Sequence, residues 1–349
     1  MQYHARTGSS LQSILSLLAI SVRDSRSLST ALMASSQSAW TERKPEALAK
    51  CFLPLSSSNH KGSSGRIGIL GGSAQYTGAP YYAGMAALQT GADLAYIFCA
   101  QEAALGIKSY SPELMVAPVY VASSLDSAWI GGSEQEQRAL VETMVEQVVS
   151  HMERLHVLVM GPGLGRCPLV LNATAQIMKQ AMERSLWIVV DADALFLLTL
   201  DDYKGILRDY DKVVFTPNVI EYKRLIQALG HEDLDLLTKG LIVQKGAQDM
   251  IMQGGLEPLV CMEIGGLKRS GGLGDILSGT LAAFIGWHMI LQSRGCDVDQ
   301  QLSCWVACCV TKRATNSAFQ AKRRAMTAPD VLNLIGSTMM EMEDVNDSG

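Results

Sequence analysis

Short apolar runs rich in β-branched residues punctuate this chain, at residues 66–70, 94–98, 157–160, 186–190, 213–216 and 241–244. Several are apolar at every position, the pattern of strands covered on both faces of a parallel sheet. Helical patterns lie between them, at residues 79–90, 134–154, 169–183 and 219–229. From Asp275 onward the chain is almost all helical, through 276–287, 303–321 and 329–342. Strand alternating with helix predicts a doubly wound α/β layer structure. The 349 residues are 48% hydrophobic and 18% charged, an ordinary globular composition. Apart from a distinct N-terminal stretch, about 300 residues remain, enough for one large α/β domain or at most two.

In such sheets ligands bind beyond the carboxyl ends of the strands, and polar or glycine-rich segments stand at those places. Gly71-Gly72-Ser73 follows the first run, and Gly161-Pro162-Gly163-Leu164-Gly165-Arg166 the third. Glycines there let backbone approach a ligand closely, or simply turn a strand into a helix; the spacing is neither a dinucleotide fingerprint nor a Walker loop. Asp191-Ala192-Asp193 follows the fourth run, either to hold a substrate through hydrogen bonds or with Asp193 as a helix cap. Thr216-Pro217-Asn218 and then Glu221 follow the fifth. Asn218 and Glu221, three apart, share a helix face and could reach a phosphate-bound Mg2+ through water, or form an N-cap with a first-turn acid. Lys245-Gly246 and then Asp249 close the sixth run into a hairpin-like turn before residues 250–252. Lys245 pairs with a nucleotide phosphate there, or is a surface lysine.

Ser270-Gly271-Gly272-Leu273-Gly274-Asp275 precedes the apolar helical run 276–287. Its glycines allow a tight turn whose N–H groups converge at a helix N-terminus, a place that favours an anion. Asp275 puts a carboxylate beside that anion. This arrangement suits a base taking the proton from a hydroxyl near a phosphoryl group, and it also suits a plain Asp-capped turn. The helix dipole is expected to keep Asp275 ionised.

Several function classes recede. The net charge is −5, so no face need be basic and nucleic acid is not an expected partner; Lys322-Arg323-Arg324 reads as solvated surface. Of 8 cysteines none forms a C-x-x-C pair, which argues against zinc and for a reduced intracellular protein. Cys304, Cys308 and Cys309 fall on an apolar helical run, where thiols pack as small hydrophobes. The 6 histidines suggest no hydrolase triad, and Asn172-Ala173-Thr174 reads as a chance sequon. Residues 1–40 carry Arg6, Arg23, Arg26 and many serines against one acid, Asp24. That is the composition of an organelle transit peptide or a disordered tail. The apolar run 11–20 is too short to span a bilayer, so no membrane association is expected. A mitochondrial and/or cytoplasmic location follows, with Met33 as an internal start for a cytosolic form.

Together these strings resemble the ribokinase-like superfamily and, more narrowly, the eukaryotic ATP-dependent NAD(P)H-hydrate dehydratase family. The resemblance runs over roughly residues 45–340. It includes His60-Lys61-Gly62, Tyr76-Thr77-Gly78-Ala79-Pro80, Gly91-Ala92-Asp93-Leu94, Tyr110-Ser111-Pro112-Glu113-Leu114 and Ala318-Phe319-Gln320, besides the segments above. It implies a ribokinase-like three-layer α/β/α fold with a mostly parallel central sheet over 41–345, after an extension at 1–40. It implies a lyase that uses ATP, with Mg2+, to return (6S)-NADHX and (6S)-NADPHX to NADH and NADPH. The C6 hydroxyl would be phosphorylated and phosphate then lost. Asp275 would be the base and Gly272, Leu273 and Gly274 the anion hole.

The same resemblance places the hydrate against Gly163, Gly165, Asn218, Val219, Ile220, Glu221, Tyr222, Lys223, Arg224 and Asp275. It places ATP against Lys245, Gly246, Ala247, Gln248 and Asp249, and against Gly265, Gly266, Leu267, Lys268, Arg269, Ser270, Gly271, Gly272, Leu273 and Gly274. A homo-oligomer is compatible with it. This chain departs from the family pattern in having Leu273 for a usual Gln, Ala194 for a usual Gly, uncharged Ala247 and Gln248, and a short stretch at 230–240. A ribokinase-like kinase of a small alcohol, and a weakly active nucleotide-binding relative, are the rival readings.

Overall fold

A computed structural model describes residues 37–230 and 238–343. The described residues from 38 onward form one compact unit. Residues 1–36 of the N-terminal extension and most of the short 230–240 stretch therefore lie outside the described residues. The strands that position the site are β1 (Arg66–Leu70), β2 (Leu94–Ala100), β3 (Met115–Tyr120), β4 (Val157–Met160), β5 (Trp187–Val190), β6 (Val213–Phe215), β7 (Leu241–Gln244), β8 (Asp249–Gln253) and β9 (Leu259–Cys261). The helices are α1 (Trp40–Cys51), α2 (Gly78–Thr90), α3 (Gln101–Tyr110), α4 (Ala122–Gly131), α5 (Glu134–Met152), α6 (Pro168–Glu183), α7 (Ala192–Leu197), α8 (Val219–Leu229), α9 (Leu273–Ser293), α10 (Gln300–Lys322) and α11 (Ala328–Glu343).

These strands lie in one sheet in the order β9-β8-β7-β6-β5-β4-β1-β2-β3. From β3 through β7 neighbouring strands are parallel, with Ile67 of β1 facing Val157 of β4 and Gly68 facing Tyr96 of β2. β7, β8 and β9 are antiparallel. The chain winds outward from β1 to β3, then returns to the other side of β1 and winds outward again from β4. The strand order reverses between β1 and β4, which is where α/β sheets open a crevice.

Helices cover both faces. α1, α2, α9, α10 and α11 pack together on one face, and α4, α5, α6, α7 and α8 follow one another in contact on the other. Every residue of β4 and β5 is buried, as their continuous apolar runs predict. α9 is long and apolar enough to cross a membrane by length and composition, yet most of it is buried against α2, α10 and the sheet.

β3 is absent from the periodicity reading because Pro118 interrupts it; it is the outermost strand on its side, where a missing N–H costs no sheet bond. α1, which contains Pro45, and the short α3, α4 and α7 were likewise not anticipated. Trp40 opens α1, is 2% exposed and stacks on Trp305 with ring centroids 6.2 Å apart.

Candidate active site

The site begins with the backbone of one glycine. Gly272 is the N-cap of α9 and sits at φ 93°, in the left-handed region. A Cβ there would come within 2.7 Å of the Ala328 methyl and 2.9 Å of the Tyr82 ring. The first helical bond of α9 runs from Ile276 N–H to Gly272 O at 3.0 Å. The N–H groups of Leu273, Gly274 and Asp275 thus have no carbonyl one turn back, and they lie at the positive end of a 21-residue helix. The Asp275 N–H lies against its own carboxylate, and the Leu273 and Gly274 N–H groups remain as donors for an anion.

Three charged side chains meet beside it. Asp191, which follows β5, caps α7: its Oδ1 accepts from Ala192 N–H at 2.9 Å, and Ala192 is held at a left-handed φ of 46°. The same oxygen accepts from Lys245 Nζ at 2.8 Å, an ion pair whose side chains are 2% and 18% exposed. Lys245 is therefore an interior lysine, and the cap of α7 is Asp191 where the sequence had suggested Asp193. Burial pulls the Lys245 ammonium toward neutrality, but the charges of Asp191 and Glu221 outweigh it and leave its pKa raised.

Asp275 corrects a second expectation. Burial first, and then the charge of Asp191, push its carboxyl up to about 7, with Lys245 acting in the opposite sense. Helix-end donors do not keep it fully ionised, because removal from water and a second carboxylate weigh more here. Near neutrality Asp275 is divided between acid and base.

Two cavities open on opposite sides of this cluster. The larger, about 760 Å³, lies at the reversal of strand order and is lined by Tyr76, Gly163, Gly165, Arg166, Asp193 and Asp275 among others. The smaller, about 410 Å³, is lined by Asn218, Lys245, Gly265, Arg269, Leu273 and Gly274 among others. The start of α9 is thus the wall between them, and the Lys245 ammonium lies 3.3 Å from the place a Cβ would take on Gly274. A group can pass from a ligand in one cavity to a ligand in the other across two N–H donors, beside a carboxylate poised to titrate.

The glycines after β4 serve both readings given to them. Gly161, at φ 117°, turns the chain so closely over Asp191 that a Cβ would meet its carbonyl oxygen at 1.9 Å and the Ala194 methyl at 2.9 Å. Space left by Gly161 is what admits a methyl at Ala194. Gly163 and Gly165 then reach the larger cavity. Asp193 holds this loop, its Oδ2 accepting from Gly165 N–H at 2.9 Å.

Other expected residues fall as follows. Gly246, Ala247 and Asp249 border the smaller cavity with Lys245. Asp249 is 3% exposed and works within the hairpin, accepting from Gly246 N–H at 2.8 Å. Asn218 and Glu221 form a full capping box on α8: Asn218 Oδ1 accepts from Ile220 and Glu221 N–H, and Glu221 Oε2 from Asn218 N–H. Asn218 borders the smaller cavity. Val219, Ile220, Tyr222, Lys223 and Arg224 continue along α8 and do not line the larger cavity, with Val219 and Ile220 exposed. Gln248, Gly266, Leu267, Lys268, Ser270, Gly271 and Gly272 line neither cavity, and Leu267 is exposed.

Sequence reading missed Lys312. Its Nζ lies on α10, 3.1 Å from Asp249 Oδ1, and donates to Gly246 O and Ala247 O at 2.6 and 3.0 Å, so it pins the hairpin that carries Lys245. The Lys312-Arg313 pair inside the otherwise buried run from Cys304 to Thr315 was the available signal.

Comparison with known proteins bears on this geometry. Residues 67–336 match the family described as NAD(P)H-hydrate dehydratase. A Mus musculus protein named ATP-dependent (S)-NAD(P)H-hydrate dehydratase is 39% identical over 303 residues, 82% of each chain. A Neurospora crassa protein of the same name is 35% identical over 337 residues, 87% of this chain and 95% of that one. An ADP/ATP-dependent NAD(P)H-hydrate dehydratase from Bacillus subtilis, co-crystallised with ATP/Mg2+, shares the fold at TM-score 0.61 and 19% identity, over 86% of this chain and 97% of that chain. A ribokinase-like superfamily protein from Enterococcus faecalis does so at TM-score 0.63 and 20% identity, over 86% and 95%. The three-layer architecture is the ribokinase-like fold.

Proposed function

The chain belongs to the NAD(P)H-hydrate dehydratase family, and from that premise we infer that it uses ATP to remove water from the 6S hydrates of NADH and NADPH. The observation that carries the reading is Asp275 at the wall between two cavities, with a carboxyl pKa raised to about 7 beside the free Leu273 and Gly274 N–H groups of α9. The larger cavity takes the hydrated dinucleotide and the smaller takes ATP.

Ionised Asp275 removes the proton of the C6 hydroxyl as that oxygen attacks the γ-phosphorus of ATP, and ADP leaves. Of the expected anion hole, the N–H groups of Leu273 and Gly274 hold the oxygens of the transferring group, whose charge is spread in the transition state. Lys245 adds a positive charge at the same place. The C6–O bond then breaks as the ring nitrogen lone pair forms N1=C6, phosphate departs, and loss of a proton from C5 restores the dihydropyridine.

Mg2+, when bound, neutralises polyphosphate charge in such a transfer. Asn218 and Glu221 fit only a contact with it through water, since the capping box engages Asn218 Oδ1 and Glu221 Oε2 and leaves Glu221 Oε1 for a water ligand. The composition of residues 1–40 supports mitochondrial targeting, with a cytosolic form starting at Met33.

The test is incubation of the protein with hydrated NADH, ATP and Mg2+. Reduced-nicotinamide absorbance should appear with one ADP and one phosphate per turnover. A phosphorylated product that accumulates without that absorbance would make it a small-molecule kinase. ATP binding without either product would make it a nucleotide-binding relative.

A further inference from the structure

The substrate of the proposed reaction brings a diphosphate into the larger cavity, and the wall it meets is acidic: Asp126, Asp193 and Asp275 all line it. Two negative charges do not settle in such a place unless a cation receives them. Among the described residues Arg166 is the cation that lines this cavity.

Its guanidinium is held in place. Nε donates to Asp193 Oδ1 at 3.0 Å, and Cζ stands 4.0 Å from the centroid of the Phe196 ring. Asp193 is fixed in turn by the Gly165 N–H, so loop, acid and base form one unit. The pair uses only the Nε edge of the guanidinium, and the side chain is 54% exposed. The Nη groups remain as a planar set of donors, a geometry that matches two phosphate oxygens at once. Stacking on Phe196 and pairing with Asp193 fix its orientation, so little side-chain entropy is lost on binding.

We propose that Arg166 anchors the diphosphate of the hydrated dinucleotide, at a subsite apart from the reacting ring; the proposal rests on the dehydratase reading. The diphosphate is common to both hydrates. The 2′-phosphate belongs to NADPHX alone, so the two anions can be told apart.

Arg166→Ala should raise KM about tenfold to a hundredfold for NADHX and NADPHX alike, with kcat within about threefold and KM for ATP unchanged. Arg166→Lys should restore only part of the loss, since an ammonium lacks the planar fork. Arg166→Gln keeps an aliphatic stem beside Phe196 and carries the same expectation if the alanine variant melts early. A second readout needs no turnover: with ATP saturating the smaller cavity, ADP-ribose should bind the wild type and lose about tenfold or more in affinity on Arg166→Ala. This separates the two ideas, because a wild type that binds ADP-ribose but never dehydrates fails the functional reading alone. Unchanged KM and ADP-ribose affinity would overturn the proposal. So would a rise confined to NADPHX, which would make Arg166 a 2′-phosphate site, or a fall in kcat with KM intact, which would make it a loop tether.

Discussion

Lys245 Nζ stands 2.8 Å from Asp191 Oδ1, joining the carboxyl ends of two strands that flank β6. The pair gives a carboxylate only 2% exposed its counter-charge and places an ammonium beside the anion loop. Lys245→Met should therefore do two things. It leaves Asp191 buried and unpaired, at a typical cost of about 3–5 kcal/mol. It also removes the charge that holds Asp275 down, so the pH–rate profile should move to higher pH. Adding Asp191→Asn should recover much of the stability and none of the activity. Urea unfolding and pH profiles of the single and double variants check this; additive losses in stability would show that the pair is not coupled.

The fold was legible where burial is two-sided. Residues 157–160 and 186–190 are apolar throughout, and β4 and β5 are buried throughout. Backbone freedom was legible where the chain needs it, at Gly161, Gly163, Gly165 and Gly272. What sequence hides is tertiary. Nothing local marks Asp191 as the cap and Asp193 as the loop anchor, because both precede or open the same short helix. The protonation of Asp275 depends on how deeply α9 begins and on a carboxylate 84 positions away in the chain, so a dipole argument alone gave the wrong balance. Lys312 was hidden inside a cysteine-rich helix read only as core.

Trp40 sets how far the N-terminus can be shortened. It is 2% exposed, stacks on Trp305, and its backbone N–H donates to Glu263 Oε1 at 2.9 Å. A chain starting at Met33 should keep full activity. Trp40→Ala should lose about 3–5 kcal/mol. Thermal melts of both decide the matter, and a Met33 start that melts like Trp40→Ala would show that residues before 33 belong to the fold.

Leu273 contributes its N–H to the anion loop, while its side chain borders the smaller cavity. Backbone donors survive any side-chain change. Leu273→Gln should therefore alter turnover by about tenfold or less. A gain of several orders of magnitude in steady-state kcat would mean that a side-chain donor is needed there and that this chain is impaired without it.

The raised pKa of Asp275 has a consequence for stability. A carboxyl that titrates at about 7 when folded and at 3.8 ordinarily binds its proton more tightly in the native state. Its contribution is fully present below pH 3.8 and is lost as pH rises through about 7. Asp275→Asn lacks this titration. The variant should be more stable than wild type at pH 8, by on the order of 4 kcal/mol at most, and the gap should close toward pH 4. Equal stabilities across that range would mean that the carboxyl is not held out of water.

The same carboxyl should govern the rate. Only ionised Asp275 can take the C6 hydroxyl proton, so kcat should rise with pH through about 7 and level off above it. Asp275→Asn keeps the size but cannot accept the proton. Loss of a general base costs roughly 10² to 10⁴ in rate, so kcat should fall at least about a hundredfold and the pH dependence should flatten. ATP affinity should hold or rise, because a negative charge next to the phosphate site is gone. Single-turnover rates with hydrated NADH across pH, together with an ATP titration on the same variant, test both halves. If turnover survives within a few-fold and still rises through pH 7, Asp275 is only a first-turn acid of α9, and the proton leaves by another route.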